Sequence, residues 1–347
     1  MRMHLVFGTG LVGSYLAGNL ALTGHQVRVI GRDKTIKALT KGLRLSDYQG
    51  NAAQVPAIYQ YHSREQDIVE VIWLTVKCTS LNLAVRELRA LVKTGSIVIC
   101  CQNGLRAVHQ MRTAFPNCKV FSAVVPFNVV RLEDGTLHRG SEGRLTLPKE
   151  IRRVLPELSK TLNSGLLQVR LVSDINAIQA AKLQLNLSNA VNALSDLPVK
   201  QMLEDRGYRK VIAHLMREWL EVASTNRIAL AKVTKVDGKW LPFILSLPDF
   251  MFRRVAATML DIDPTVKTSM WWDLQQGKPT EVEDLNGEVV RQGVLARNYC
   301  PANKVIIDLI HEASRQRRET GSYKALSASE LLNEIKIKRL EKSSYKI

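Results

Sequence analysis

Three groups of residues have types and spacing suited to chemistry on a small polar substrate. The first is Gly8-Thr9-Gly10-Leu11-Val12-Gly13, which follows the apolar run Met3-His4-Leu5-Val6-Phe7 and precedes a helical segment. Glycines at this spacing between a strand and a helix form the pattern that binds a dinucleotide pyrophosphate. Gly8 allows the tight turn, Gly10 lets backbone approach the phosphates, and Gly13 lets the helix pack closely on its strand. Thr9, Leu11 and Val12 complete the loop and helix start, whose backbone N–H groups would face the phosphates. The next apolar run, Gln26-Val27-Arg28-Val29-Ile30, ends at Gly31-Arg32. A carboxylate there would hold an adenosine ribose 2′-hydroxyl, whereas a guanidinium suits a 2′-phosphate, so Arg32 points to NADPH. Asp33 would favour the hydroxyl if the register moved by one residue.

The second group closes two later apolar runs. Ligands of an open parallel sheet sit beyond the carboxyl ends of its strands. Lys77 ends Thr75-Val76-Lys77, and Gln102-Asn103-Gly104 ends the following run. Singly, Lys77 is as well explained by a solvated charge and Gln102-Asn103-Gly104 by a turn. On adjacent crossover units after a dinucleotide motif, they read as cofactor contacts.

The third group lies in the second half. In Ala180-Ala181-Lys182-Leu183-Gln184-Leu185-Asn186-Leu187-Ser188-Asn189-Ala190-Val191-Asn192, helical geometry gathers Lys182, Asn186 and Asn189 into a stripe about 60° wide on an otherwise apolar helix. A wet polar side explains this pattern, and so does a polar substrate that satisfies a buried stripe. Further on, Thr268 or Ser269 can cap a short helix and offer a hydroxyl and N–H groups to a carboxylate. Thr280-Glu281 follows Pro279 and is expected to open another helix. Trp271-Trp272 read as core aromatics beside that carboxylate site.

The elements that must position these groups are legible from periodicity. Strand and helix patterns alternate through the first half: a strand over Val69–Val76, a helix from about 80 to 92, a strand over Ser96–Cys101 and a helix from about 105 to 114. A strand over Val120–Val130, a mixed antiparallel pair within Thr136–Leu147, a helix over Glu150–Asn163 and a last strand over Gln168–Val172 complete the series. This predicts an α/β chain with a Rossmann-like, doubly wound parallel sheet in residues 1–173 and an all-helical domain in residues 174–347. The charged tail holds an amphipathic stretch, Ser329–Leu340, that reads as a solvated helix.

Composition narrows the class. The chain has 347 residues, 46% of them hydrophobic, and carries a formal charge of +17 from 49 Lys and Arg against 32 Asp and Glu. The charge is spread along the chain with no nucleic-acid-binding signature, so nucleic acid is not the expected partner, and a positive surface also steers anionic cofactors and substrates. No apolar run reaches membrane-spanning length, and the N-terminus lacks a cleavable signal, so a cytoplasmic enzyme with no membrane partner is expected. Five cysteines without paired metal spacing read as thiols in a reducing compartment, with no metal site.

Taken together, the glycine motif, Lys77, Gln102-Asn103-Gly104, Lys182 with Asn186, Ser269-Met270 with Asp273, Thr280-Glu281, Asn286-Gly287 and Cys300-Pro301-Ala302-Asn303 resemble the ketopantoate reductase family, the NADPH-dependent 2-dehydropantoate 2-reductases. The resemblance runs from residue 1 to about 315. It implies that Lys182 is the general acid that protonates the substrate's C2 oxygen, and that Glu281 sits near the nicotinamide and sets the lysine's protonation. It also implies that Asn186 binds the substrate's hydroxyl end, Ser269 its carboxylate side, Asn103 both cofactor and substrate, and Lys77 the cofactor. The substrate would be a small 2-oxo acid, ketopantoate on the route to pantothenate and coenzyme A, and the assembly a candidate homodimer. The chain departs from the family where a second asparagine often stands eight residues after the lysine. Ala190 occupies that place and Asn189 precedes it, while Leu197-Pro198-Val199-Lys200 offers no later substrate asparagine. These departures keep two alternatives open, a reductase of another 2-oxo acid and a non-catalytic dinucleotide-binding regulator.

Overall fold

The architecture is that of a computed structural model describing residues 2–62, 69–257 and 263–344. The chain separates into two compact units, Met1–Ile175 and Asn176–Ile347. In chain order the first runs β1 (Met3–Phe7), α1 (Leu11–Leu22), β2 (Gln26–Ile30), α2 (Asp33–Leu39), β3 (Leu43–Asp47), β4 (Ala52–Val55), β5 (Tyr59–Gln60) and β6 (Val69–Leu74). It continues with α3 (Leu81–Leu88), β7 (Ile97–Cys100), α4 (Arg106–Ala114), β8 (Lys119–Ser122), β9 (Val129–Arg131), β10 (Leu137–Arg139), β11 (Leu145–Pro148), α5 (Leu158–Leu162) and β12 (Val169–Val172).

Six strands form a wholly parallel sheet in the order β5-β2-β1-β6-β7-β8. Side-chain alternation explains why it is covered on both faces. Val6, Val71, Trp73, Ile97 and Ile99 point into one core with Tyr15, Leu16 and Leu20 of α1. Leu5, Phe7, Ile72, Leu74, Val98 and Cys100 point into the other with Leu81 and Leu88 of α3 and Met111 of α4. A sheet apolar on both sides needs helices on both sides, which is the doubly wound arrangement. Strand order reverses between β1 and β6, so the crevice at their carboxyl ends is the switch point where such sheets bind ligands.

The edges differ from the sequence expectation. The run Val120–Val130 is not one strand: Pro126 lacks the N–H a ladder needs, and the chain leaves β8, makes a single antiparallel bridge between Val124 and Thr146, and enters β9 in a second sheet. That sheet has the order β4-β3-β10-β9, and its β3 and β4, joined through Ser46–Asn51, had no sequence counterpart. Nor is Thr136–Leu147 one antiparallel pair, because β10 pairs with β9 and β3 whereas β11 pairs in parallel with β12. The expected helix over Glu150–Asn163 is a 3₁₀ segment, Lys149–Arg153, followed by α5, with Pro156 between them unable to continue a helical ladder.

The second unit contains α6 (Ile175–Asn186), α7 (Ser188–Ser195), α8 (Val199–Glu204), α9 (Arg206–Thr225), α10 (Leu241–Ser246), α11 (Asp249–Val255), α12 (Ser269–Gln275), α13 (Asn286–Leu295), α14 (Pro301–Thr320) and α15 (Ala328–Ser344), with no strand among the described residues. The apolar stripe of α9, including Val211, Leu215, Trp219 and Val222, is buried and packs against α10, α13, α14 and α15. The helix containing Lys182 is interrupted for one residue at Leu187, which keeps helical dihedrals, so its stripe continues from α6 into α7. Among the described residues no helix is long and apolar enough to cross a membrane.

The C-terminal helix is docked rather than solvated. Leu331 and Ile335 of α15 are buried, and the approach to it is tied down by Tyr323 Oη donating to Ala193 O (2.8 Å) and Tyr208 Oη donating to Leu326 O (2.9 Å). Truncating the fully buried Leu331 to alanine should therefore cost about 2–5 kcal/mol in denaturant unfolding. A loss under about 0.5 kcal/mol, typical of an exposed site, would show that α15 does not pack.

Candidate active site

The candidate residues fall into two sets, one in each unit. In the first, Gly8 has φ +112°, a region side chains avoid, and a Cβ there would meet Val76 N at 2.7 Å. At Gly13 a Cβ would fall on the Gly8 carbonyl oxygen and on Thr75 Oγ1, so only glycine lets α1 approach so closely. Thr75 Oγ1 donates to Gly8 O (2.6 Å), and Gly8 N donates to Ile30 O (2.8 Å), which pins the loop between β2 and β6. At Gly10, by contrast, a Cβ would meet nothing within 4 Å. Gly10 caps α1 without a side chain, and the first turn, beginning Leu11-Val12, contains no acidic residue.

These features fit a dinucleotide phosphate. The helix N-terminus has no carboxylate of its own to meet its positive end, and the volume beside Gly10 is open. Thr9, 5% exposed, has a hydroxyl oxygen with no hydrogen-bond partner, a deficit that a bound polar group would relieve. Arg32 is exposed in extended backbone at the start of α2, directly after β2. Asp33 is the first residue of α2, where the helix dipole favours a carboxylate whatever the cofactor.

The other strand ends are fastened to each other. The buried Gln102 side chain donates to Leu74 O (2.9 Å) and Val76 O (3.0 Å), while Cys78 Sγ donates to Asn103 O (3.2 Å). Half-buried Asn103 is thus held beside the turn that starts at Lys77, an exposed residue beyond β6. The sequence reads Gln102, with Asn103 and Gly104, as a cofactor contact; the structure instead turns its buried amide onto the carbonyls of residues 74 and 76. That amide is what joins the β6 and β7 ends.

In the second unit Lys182, Asn186 and Asn189 are half-buried, while Ala181, Leu183, Leu187 and Ala190 around them are buried. Trp219 Nε1 of α9 donates to Ala180 O (3.1 Å), which fixes α6 two residues before Lys182. Thr268, not Ser269, caps α12; its N–H donates to Asn192 Oδ1 (3.0 Å) and its hydroxyl to Asn189 O (3.4 Å). These bonds bring exposed Ser269, the first residue of α12, to the helix that bears Asn189. Trp271 and Trp272 are not core aromatics: Trp272 is 54% exposed, and Trp271 Nε1 donates to Asp196 Oδ1 (2.6 Å) under the Lys267 ammonium.

Glu281 does not open a helix. Its carbonyl accepts from Asp284 N and Leu285 N, both at 3.0 Å, and Val282 O accepts from Gly287 N at 3.0 Å. Leu285, at φ −106° and ψ −85°, breaks the helical path, so α13 starts only at Asn286. Glu281 itself is buried. Sequence reasoning missed Glu218, whose signal was a carboxylate set among Leu215, Trp219 and Val222 on the apolar stripe of α9. Its oxygens accept from Ala302 N (2.8 Å), Asn303 N (3.0 Å) and Asn303 Nδ2 (2.9 Å), and Asn286 Nδ2 donates to Asn303 Oδ1 (3.0 Å). Burial pushes the Glu218 carboxyl above the usual carboxylate range, against the pull of the Asn303 and Ala302 bonds. Among the described residues no cluster of three or more His, Cys, Asp or Glu is placed to hold a metal.

Residues 4–150 match the model of the family described as ketopantoate reductase PanE/ApbA, and residues 174–314 match its C-terminal domain. The chain belongs to the ketopantoate reductase family. It is similar to the 2-dehydropantoate 2-reductase of Archaeoglobus fulgidus, at 24% identity over 310 residues that cover 88% of this chain and 95% of that protein. Its fold is similar to that of the ketopantoate reductase of Ralstonia eutropha JMP134, with a TM-score of 0.77, 24% identity and coverage of 92% and 100% of the two chains. The same fold is found in a D-mandelate dehydrogenase solved with NADH and anilino(oxo)acetate, with a TM-score of 0.74, 18% identity and coverage of 91% and 100%.

Gly13 and Gly10 differ in what a side chain would meet, a clash at the first and open space at the second. Gly13→Ala should lower the melting temperature of the cofactor-free protein, because α1 must move off its strand. Gly10→Ala should leave that temperature unchanged and weaken nicotinamide dinucleotide binding by about tenfold or more, the worth of one charge-assisted hydrogen bond. Fluorescence titration and a thermal melt of both variants check this.

Proposed function

We propose that this chain is an NADPH-dependent reductase of a small 2-oxo acid, and that the substrate is 2-dehydropantoate, reduced to pantoate for pantothenate and coenzyme A synthesis. The observation that carries the reading is the half-buried stripe of Lys182, Asn186 and Asn189 beside the buried Ala181, Leu183, Leu187 and Ala190, in a chain of this family. A polar line of that kind has the donors that a 2-oxo acid with a distal hydroxyl requires.

When bound, NADPH supplies the hydride that reduces the C2 carbonyl. The backbone of Gly8-Thr9-Gly10-Leu11-Val12-Gly13 would hold its pyrophosphate, Arg32 its 2′-phosphate, and Lys77 and Asn103 its nicotinamide half, with Asn103 also reaching the substrate. Lys182 donates a proton to the C2 oxygen as negative charge develops there, and its ammonium stabilises that charge before the transfer. Glu281 favours the protonated lysine, because a nearby carboxylate stabilises the charged form, and sits near the nicotinamide. Asn186 and Asn189 bind the hydroxyl end of the substrate and Ser269 its carboxylate. The protein acts as a soluble enzyme, with a homodimer as its proposed assembly.

A second reading, reduction of a different 2-oxo acid, is favoured by one position. Ala190 is fully buried on α7 and has no polar side-chain atom, which leaves Asn186 and Asn189 as the amides of the stripe to meet the substrate's tail and favours a tail that needs fewer hydrogen bonds.

The test is NADPH consumption with ketopantoate and a panel of branched and aromatic 2-oxo acids. Lys182→Ala should lower kcat by about 10²–10⁴-fold, the usual worth of a general acid. Arg32→Ser should raise the KM for NADPH by about 10–100-fold, the equivalent of a charged hydrogen bond, and leave NADH unaffected. Turnover only with another 2-oxo acid would establish the second reading. NADPH binding without turnover on any of them would make the chain a non-catalytic regulator.

A further inference from the structure

We infer that Glu218 and Asn303 are positioning residues for Glu281 and act on it through Asn286. This rests on the roles proposed above for Lys182 and Glu281. Glu218 is 6% exposed, and a carboxylate so deep in an apolar stripe persists only where donors meet its charge. Two of those donors, Ala302 N and Asn303 N, belong to the first turn of α14, whose N–H groups have no partner within the helix. The third is the Asn303 side-chain amide.

That amide is fully committed. One hydrogen goes to Glu218 Oε2 (2.9 Å) and the other to Leu215 O (3.2 Å), which fixes the direction of Asn303 Oδ1. The oxygen accepts from Asn286 Nδ2 at 3.0 Å, and both asparagines are wholly buried. Asn286 is the last residue before the 281–287 turn closes, since Glu281 O and Val282 O take their donors from residues 284, 285 and 287. The direction of that turn, and with it the Glu281 side chain, is set by a relay from Glu218 through Asn303 and Asn286. Trp219, the neighbour of Glu218, holds α6 at Ala180. Adjacent residues of one rigid helix thereby fix the elements that carry Lys182 and Glu281, so their relation does not depend on the intervening loops.

The relay is cut by Asn303→Leu, which removes the amide and leaves both backbone donors on Glu218. Amide hydrogen exchange on the full chain should speed up at Asp284, Leu285 and Gly287 by about tenfold, the loss of one buried hydrogen bond, while Ala302 N stays protected. With NADPH and ketopantoate, kcat should fall by about tenfold, the cost of a misplaced catalytic group, while both KM values stay within about twofold. Asn286→Ala, which preserves the Glu218–Asn303 bonds, should give the same pattern and decides the matter if the first variant does not fold. Unchanged exchange in the turn overturns the relay. A loosened turn with kcat at the wild-type value overturns its role in positioning Glu281. If the wild type reduces no 2-oxo acid, the functional reading fails separately, and exchange in the turn alone decides whether the relay orders it.

Discussion

The approach of α1 to the end of β1 is the constraint on which the cofactor half of the structure depends. A Cβ at Gly13 would occupy the space of the Gly8 carbonyl, and that carbonyl is itself held by Thr75 Oγ1. Because the helix can come so near, its uncapped N-terminus lies directly over the carboxyl end of β1, at the point where strand order reverses. The volume beside Gly10 is open, and the Thr9 hydroxyl, which lies against Gly31, has no hydrogen-bond partner. A helix set farther out would leave its N–H groups facing solvent, and the crevice between β1 and β6 would lack an electropositive floor.

The helical unit solves a comparable problem by other means. The half-buried stripe of Lys182, Asn186 and Asn189 lies on helices held largely by other groups. They are held from behind: Trp219 bonds a backbone carbonyl of α6, and Asn192 and Thr268 lock α7 to α12. The side-chain polar atoms of Asn186, Asn189 and Ser269 take no part in these fastenings, to which Asn189 contributes only its backbone carbonyl. Glu218 performs the same service for α14 and, through two asparagines, for the turn of Glu281.

Much of this was legible in the sequence where a single local rule governs. Near-continuous apolar runs at β1, β6 and β7, alternating along the chain with helical segments and joined to the glycine spacing, point to the doubly wound sheet and the strand ends that matter, and 3.6-residue periodicity places Lys182, Asn186 and Asn189 on one face. What was not legible depended on tertiary partners. The strands β3 and β4 are short, and their pairing with β10 joins residues about ninety positions apart. The tail helix read as solvated because its apolar face is thin, yet Leu331 is buried. Glu218 interrupts the apolar stripe of α9, and only the packing of α14 shows that its carboxylate is buried among donors. Glu281 followed a proline in a pattern that normally starts a helix, and only the backbone of Leu285 shows that the chain turns instead.

The proposed chemistry passes hydride from a reduced nicotinamide to the C2 carbon of a 2-oxo acid held beside Lys182. The most direct test supplies NADPH deuterated at the transferring position, with ketopantoate, and follows the label by mass spectrometry and NMR. Deuterium is expected at C2 of pantoate, formed in step with cofactor oxidation and absent with Lys182→Ala. Cofactor oxidation with no label in any 2-hydroxy acid, or tight NADPH binding with no oxidation, would contradict it.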